Sequence, residues 1–196
     1  MVEIKKIHLD MKTTESIEQI IHKGKIDNEL DLERALIADK KLRTLSKDNS
    51  HFKTLRKKLR DIIEVYENNH WSDIHKIDET QIKENESATF IAQQESAFIE
   101  KRKALIKSKL QENQLNQQEL GMILGHKSKT HMSELMNGIS PFSLKDLILI
   151  NRLLRIEITE LVPIFLSLDD QKRVKSVLNT LNKPQIKLSK EDLVLV

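Results

Sequence analysis

Two lysines, three hydroxyl side chains and three carboxamides fall close together at Asn116, Gln117, Lys127, Ser128, Lys129, Thr130, Ser133 and Asn137. All eight can donate hydrogen bonds, and no nucleophile beside a base is among them. Their chemistry suits recognition of phosphate oxygens and base edges rather than catalysis. The elements that must hold them are legible in the apolar spacing. Asn116 or Gln117 can cap a helix carrying Leu120, Ile123 and Leu124 on one face, and Gly125 stops it. A second short helix from about Ser128 places Met132, Leu135 and Met136 toward a core, and Asn137-Gly138 ends it with residues that tolerate positive φ. Lys129, Thr130, Ser133 and Glu134 are left outward. Small polar donors on the leading edge of such a helix fit a DNA major groove, and an ordinary helical hairpin is the alternative.

Composition sets the frame. The chain has 196 residues, 32% of them charged, with 4 glycines, 3 prolines and no cysteine. That is room for one or two cores, with helical periodicity throughout and no disulfide or thiolate metal site, so the expected class is all-α. No apolar run reaches membrane-spanning length, and Met1 to Lys6 lacks the hydrophobic stretch of a signal peptide, which predicts a cytoplasmic protein without a membrane partner. The net charge is +3, but Gln111 to Leu166 holds five Lys or Arg against six Asp or Glu. A near-neutral DNA-binding unit needs two copies on a two-fold site or basic residues from elsewhere. Candidate supplements are Lys101, Arg102, Lys103, Lys107 and Lys109 before the pair of helices and Lys172, Arg173 and Lys175 after it; each cluster can equally be a solvated helix face.

Upstream, Thr14 to Lys23 reads as a short amphipathic helix closed by Gly24. Asp27 or Asn28 caps a helix through about Leu45, and a third runs from about His51 to Asn68 with Phe52, Leu55, Leu59, Ile62, Ile63 and Tyr66 on one stripe. Trp71 to Thr80 reads as irregular, and a long helix runs from near Ser87 to Gln111. Downstream, Ser167 is placed to cap a last helix bearing Leu168, Val174, Val177, Leu178 and Leu181, with Pro184 ending it and a tail to Val196.

The segment from Glu100 to Leu166 resembles the Xre or Cro-like family of lambda-repressor-like five-helix DNA-binding domains, through Gln117, Glu119, Leu120, Gly125, Ser133, Leu135, Asn137 and Gly138, continued by Pro141 to Leu144 and Ile158 to Leu161. On that resemblance Asn116, Gln117 and Asn137 are phosphate contacts, Ser128, Lys129 and Thr130 are the base-reading edge, and Lys127 can serve either. The family often sets a buried arginine against a glutamate where this chain has Leu110 and Met136, so an apolar contact is expected in place of an ion pair. A second resemblance lies upstream. Ile26 to Leu36, followed by Leu59 to Trp71, is similar to the N-terminal region of HigA-type antitoxins, and the family's turn is present as Gly125, Lys127, Ser128 and Lys129. Three departures stand out. The stretch from Gly125 to Gly138 is longer than in that family, which shifts base-contact register by one or two positions. A basic Gly-Lys-Arg is replaced by Gly138-Ile139-Ser140, and a proline-rich stretch by the charged Asp73 to Glu86.

Other chemistry is weaker. His70 and His75, or His126 and His131, are five apart and do not share a helical face as paired metal ligands would. Glu64 and Glu67 lack any accompanying phosphate loop, nucleophile or metal motif. Tyr66 and Trp71 read as packing between hairpin and linker, with a binding hot spot as the alternative. No catalytic, metal or cofactor site is expected. The resulting expectation is an N-terminal helical hairpin at 1–72 as a partner-binding region, a linker and start of a connecting helix at 73–94, an Xre-like domain at 95–166, and a C-terminal helix and tail at 167–196. The implied function is a homodimeric transcriptional regulator of double-stranded operator DNA. As the resemblance has it, this is an antitoxin that autoregulates its operon and neutralises a RelE- or HigB-like mRNA-cleaving toxin. A stand-alone Xre-type regulator and a protein-interaction module without DNA binding are the alternatives. Dimerisation is expected through the fifth helix of the domain and the Leu168 to Leu181 helix.

Overall fold

The computed structural model describes residues 16–72, 78–163, 168–183 and 185–186, and the regular elements among them are all helices, with no strand. In chain order they are α1 (Ile17–Lys23), α2 (Glu29–Leu45), α3 (Ser50–His70), α4 (Glu79–Glu112), α5 (Gln117–Leu124), α6 (Lys129–Asn137), α7 (Leu144–Leu154), α8 (Ile158–Leu161) and α9 (Leu168–Leu181). None of the described helices is long and apolar enough to cross a membrane. The expected cap at Ser167 and the expected stop at Pro184 lie outside the described residues.

Short polar side chains set the helix starts. Ser16, Asn28, Asn49, Asp78, Asn116, Ser128 and Ser143 each have extended backbone and accept a hydrogen bond from an otherwise orphaned N–H of the following turn. Asp78 starts α4 well before Ser87, where the apolar period first becomes clear. The earlier turns are polar, so the cap rather than the periodicity marks this start.

The 34-residue α4 extends for about 50 Å, and two apolar clusters lie along it. The first gathers Ile17, Ile20, Ile26, Leu32, Ala35, Ala38, Leu42, Phe52, Leu59, Ile63 and Tyr66 from α1 to α3. The N-terminal half of α4 packs on α2 as a strut and buries Ala88, Ile91 and Ala92. Its polar lock is a fork: Arg34 donates from Nε and Nη2 to the two carboxylate oxygens of Glu95, both at 2.7 Å, and from Nη1 to Asp31 at 3.1 Å. Burial opposes the charge on Arg34, but Glu95 and Asp31 outweigh it and raise its pKa above the ordinary value. Nearby, Tyr66 and Trp71 both donate to Oε1 of Glu29, at 2.9 and 3.2 Å, and Asn85 of α4 donates to Oε2. These two aromatic residues therefore close the end of α3 on α2 within the hairpin, and Asn85 brings α4 to the same carboxylate; burial, reinforced by Glu29, pushes the Tyr66 hydroxyl pKa upward.

The second cluster is built from Ile106 and Leu110 of α4 with Leu120, Leu124, Met132, Leu135, Met136, Phe142, Leu147, Ile150, Leu154, Ile156 and Leu161. Leu110 and Met136 both belong to it, 3% and 2% exposed, so each is buried among apolar side chains. One residue crosses between the two clusters. Ile139, which follows α6, is 1% exposed and joins the first cluster, so the two cores are stitched together just past α6.

Candidate nucleic-acid interface

Helix α5 ends at Gly125, whose φ of +88° is the left-handed conformation, and the chain folds back with the His126 N–H donating to the Gly121 carbonyl at 2.8 Å. This closure brings α6 against α5. A Cβ on Gly121 would stand 3.3 Å from the His126 carbonyl and 3.5 Å from Met132, so the crossing is close and a side chain there would press on the turn. The turn then leads through His126 and Lys127 to Ser128, the N-cap of α6, whose hydroxyl accepts from the His131 N–H at 3.2 Å. With Met132, Leu135 and Met136 buried, the N-terminal edge of α6 faces outward. Lys127, Ser128 and Lys129 are all exposed.

The eight nominated side chains divide into three groups. Lys127, Ser128 and Lys129 form one continuous exposed edge. Asn116 and Gln117 stand at the start of α5, where Asn116 accepts from the N–H groups of Gln118 and Glu119 while Glu119 accepts from the Asn116 N–H at 2.8 Å. The Asn116 side-chain carbonyl oxygen is therefore occupied by its own helix, which leaves its amide N–H groups to reach outward. Thr130, Ser133 and Asn137 are half-buried and engaged. Asn49 donates to the Thr130 hydroxyl at 3.3 Å, Asn137 donates to the Ser133 carbonyl at 2.7 Å, and Lys103 donates to the Asn137 side-chain oxygen at 2.7 Å.

The partner of Thr130 comes from an unexpected quarter, since Asn49 is the N-cap of α3 and belongs to the upstream hairpin. Beside it, His51 Nε2 lies 2.6 Å from Glu134 Oε1, and Glu134 Oε2 lies 3.1 Å from His131 Nδ1. The start of α3 thus sits over the face of α6 that carries Thr130 and Glu134. The contact spans more than eighty residues of sequence, which is why no local pattern announces it. The residues after Gly138 are taken up by the same packing. Ile139 fills the hairpin core, its carbonyl accepts from the Glu18 N–H at 3.2 Å, and Ser140 is 4% exposed.

The expected basic face of α4 is largely spent. Lys101 pairs with Glu160 at 3.0 Å, Lys103 with Glu100 and Asn137, and Lys109 with Glu112 at 2.7 Å. Arg102 is 8% exposed, donates to the Leu161 carbonyl at 3.1 Å and lies over the rings of Phe98 and Phe142. Burial lowers its pKa to about 10, and its place is inside the second core. Only Lys107 of the five is exposed without a partner among the described residues.

His126 and His131 meet edge to face at 5.1 Å, and His126 Nε2 lies 3.2 Å from an Asp146 oxygen without hydrogen-bonding geometry. Asp146 is committed to the Ser143 cap, accepting from its N–H and hydroxyl. Among the described residues no group of three or more His, Cys, Asp or Glu side chains gathers as for a metal ion. Compared with known proteins, the chain matches no family model, no curated protein and no solved structure.

Proposed function

We propose that the chain is a sequence-specific DNA-binding transcriptional regulator of the Xre type. The observation that carries this reading is the exposed edge Lys127-Ser128-Lys129 at the N-terminus of α6, held over a tight glycine turn by a second core to which α4 to α8 all contribute. A short helix presented by its N-terminal residues is the geometry that enters a major groove, with polar donors meeting base edges and lysines meeting phosphates. The resemblance of the hairpin to HigA-type antitoxins supports a narrower reading, an antitoxin that represses its own operon as a homodimer and sequesters a RelE-like toxin. A short basic reading frame next to the gene, and a stable complex between the two products, would support it.

The test of the broader reading is duplex binding at two salt concentrations. Counterion release makes the affinity of a DNA binder fall steeply with salt, and Lys129→Ala should lower both affinity and salt dependence. One observation favours a second reading, a protein-interaction module: Thr130 and Glu134, on the outward face of α6, are already occupied by Asn49 and His51. Salt-insensitive or absent duplex binding would favour that alternative.

A further inference from the structure

The segment from Asp39 to Arg60, which ends α2, turns, and begins α3, contains nine Lys or Arg and two Asp. It is far more basic than the unit that contains α6. Two of the nine are spent, Lys41 on Glu100 at 3.1 Å and Arg56 on Asp39 at 2.8 Å. The other seven, Lys40, Arg43, Lys47, Lys53, Lys57, Lys58 and Arg60, are exposed and have no ion-pair partner among the described residues. Asp48, also exposed, is the one acid left in the segment. A run of unpaired like charges costs stability through self-repulsion and favours a polyanionic partner.

Its place in the fold says which partner. Asn49 and His51, in the middle of this segment, make polar contacts with the outward face of α6, at Thr130 and Glu134. Lys47 precedes Asn49 and Lys53 follows His51 by two residues each, so their Cα atoms lie within about 7 Å of the contact residues. The stitch at Ile139 holds the hairpin to α6 through a buried side chain, which fixes the elbow in register with the edge Lys127-Ser128-Lys129. A recognition helix in a major groove is flanked by phosphate walls, and positive charge beside its leading edge lies where those walls run.

The geometry points to the α2–α3 elbow as a phosphate-binding surface for the duplex that α6 reads, with Lys47 and Lys53 nearest in the chain to the residues that touch α6 and Arg43 and Lys57 further along α2 and α3. This rests on the DNA-binding reading and changes its form: the hairpin is part of the DNA interface, and it supplies the charge that the near-neutral α4 to α8 unit lacks. The occupant is duplex DNA because the basic surface is continuous with the base-reading edge.

The experiment is fluorescence anisotropy of the full chain with a labelled mixed-sequence duplex across a salt series. The variant Arg43→Ala/Lys47→Ala/Lys53→Ala removes three exposed charges, and circular dichroism should be unchanged. The slope of log affinity against log salt should fall by about 1 for each phosphate left without its cation, about 3 in all. The pair Lys53→Ala/Lys57→Ala should lower it by about 2, and Lys25→Ala/Lys83→Ala, at two exposed lysines outside every basic cluster, should leave it unchanged. If the wild-type chain binds and Lys129→Ala weakens it, but both elbow variants keep the wild-type slope, the elbow proposal is overturned and the DNA reading stands. An equal drop from the Lys25/Lys83 pair would show an effect of net charge alone and also overturn it. Absence of salt-sensitive duplex binding by the wild type overturns both, as does an elbow-dependent affinity confined to phosphatidylserine vesicles.

Discussion

The two ends of α6 are built for opposite purposes. At its N-terminus Lys127, Ser128 and Lys129 are exposed, and the contacts beside them, Asn49 to Thr130 and His51 to Glu134, are polar and partly solvated. At its C-terminus Gly138 is pressed against Ile99, Ile139 is buried in the hairpin core and Lys103 grips the Asn137 side chain. A helix fastened at one end by apolar burial and lightly dressed at the other can present the free end to a ligand without losing its place. The asymmetry predicts that stability lives at the C-terminal end and recognition at the N-terminal end.

The largest expected effect comes from the core beneath both ends. Leu110→Arg would set an unpaired guanidinium against Met136 in a cluster whose one buried arginine, Arg102, is already served by the Leu161 carbonyl. It should destabilise the fold by about 3–5 kcal/mol, and chemical denaturation showing no change would refute the packing argument. Next, Ile139→Ala should cost about 2–4 kcal/mol through the cavity left between hairpin and α6. Lys129→Ala, on the exposed end, should stay within about 0.5 kcal/mol. Equal urea midpoints for these two variants would break the comparison outright. Gly138→Ala should fall between them, at about 1–2 kcal/mol. Its φ is +71°, and the new Cβ would stand 2.7 Å from Ile99 Cδ1 unless that side chain gives way.

Local elements are legible in the sequence because their signals are local. Gly125, Gly138, the Ser and Asn caps and the apolar spacing of Met132, Leu135 and Met136 each act within one or two turns, and all appear where the periodicity predicts. The start of α4 escapes the periodicity because its first turns are polar and only Asp78 marks them. The roles of Lys101 and Arg102 have no local signature, since Glu160 and the Leu161 carbonyl, which engage them, lie on α8, whereas Lys103–Glu100 and Lys109–Glu112 are i, i+3 pairs along α4 itself. The docking of α3 on α6 joins residues from opposite halves of the chain and leaves no periodic trace. The basic run from Asp39 to Arg60, by contrast, stands in plain sight in the sequence, and its meaning comes only from where the elbow sits.

A smaller effect should appear on acidification. Burial alone would raise the Glu100 pKa, but Lys41 and Lys103 reverse that and hold it below its ordinary 4.5. A carboxylate with a depressed folded value contributes stability above its unfolded pKa and loses it as pH falls through the folded one. Because Lys103 also holds Asn137, the decline below pH 4.5 should slacken the C-terminal end of α6 first. Glu100→Gln should flatten that part of the pH–stability curve, with a small amplitude because the carboxylate is half exposed.

The smallest change in stability should come from a single exchange in the polar dressing of the other end, Asn49→Asp. Asn49→Ala/His51→Ala deletes the Thr130 and Glu134 interactions and the N-cap of α3, and the cap accounts for about 1 kcal/mol of the destabilisation. To separate cap from contact, Asn49→Asp keeps an acceptor for the His51 N–H while removing the amide that donates to Thr130. If the α3–α6 contact positions the elbow for the duplex, Asn49→Asp should leave the denaturation midpoint close to wild type and still weaken binding. Added negative charge beside the phosphates would contribute to that weakening, so Thr130→Val, which removes the acceptor from the other side without a charge, should reproduce it. Unchanged binding in Thr130→Val would mean that Ile139 alone holds the register, and the N-terminal contacts would then be coverings rather than guides.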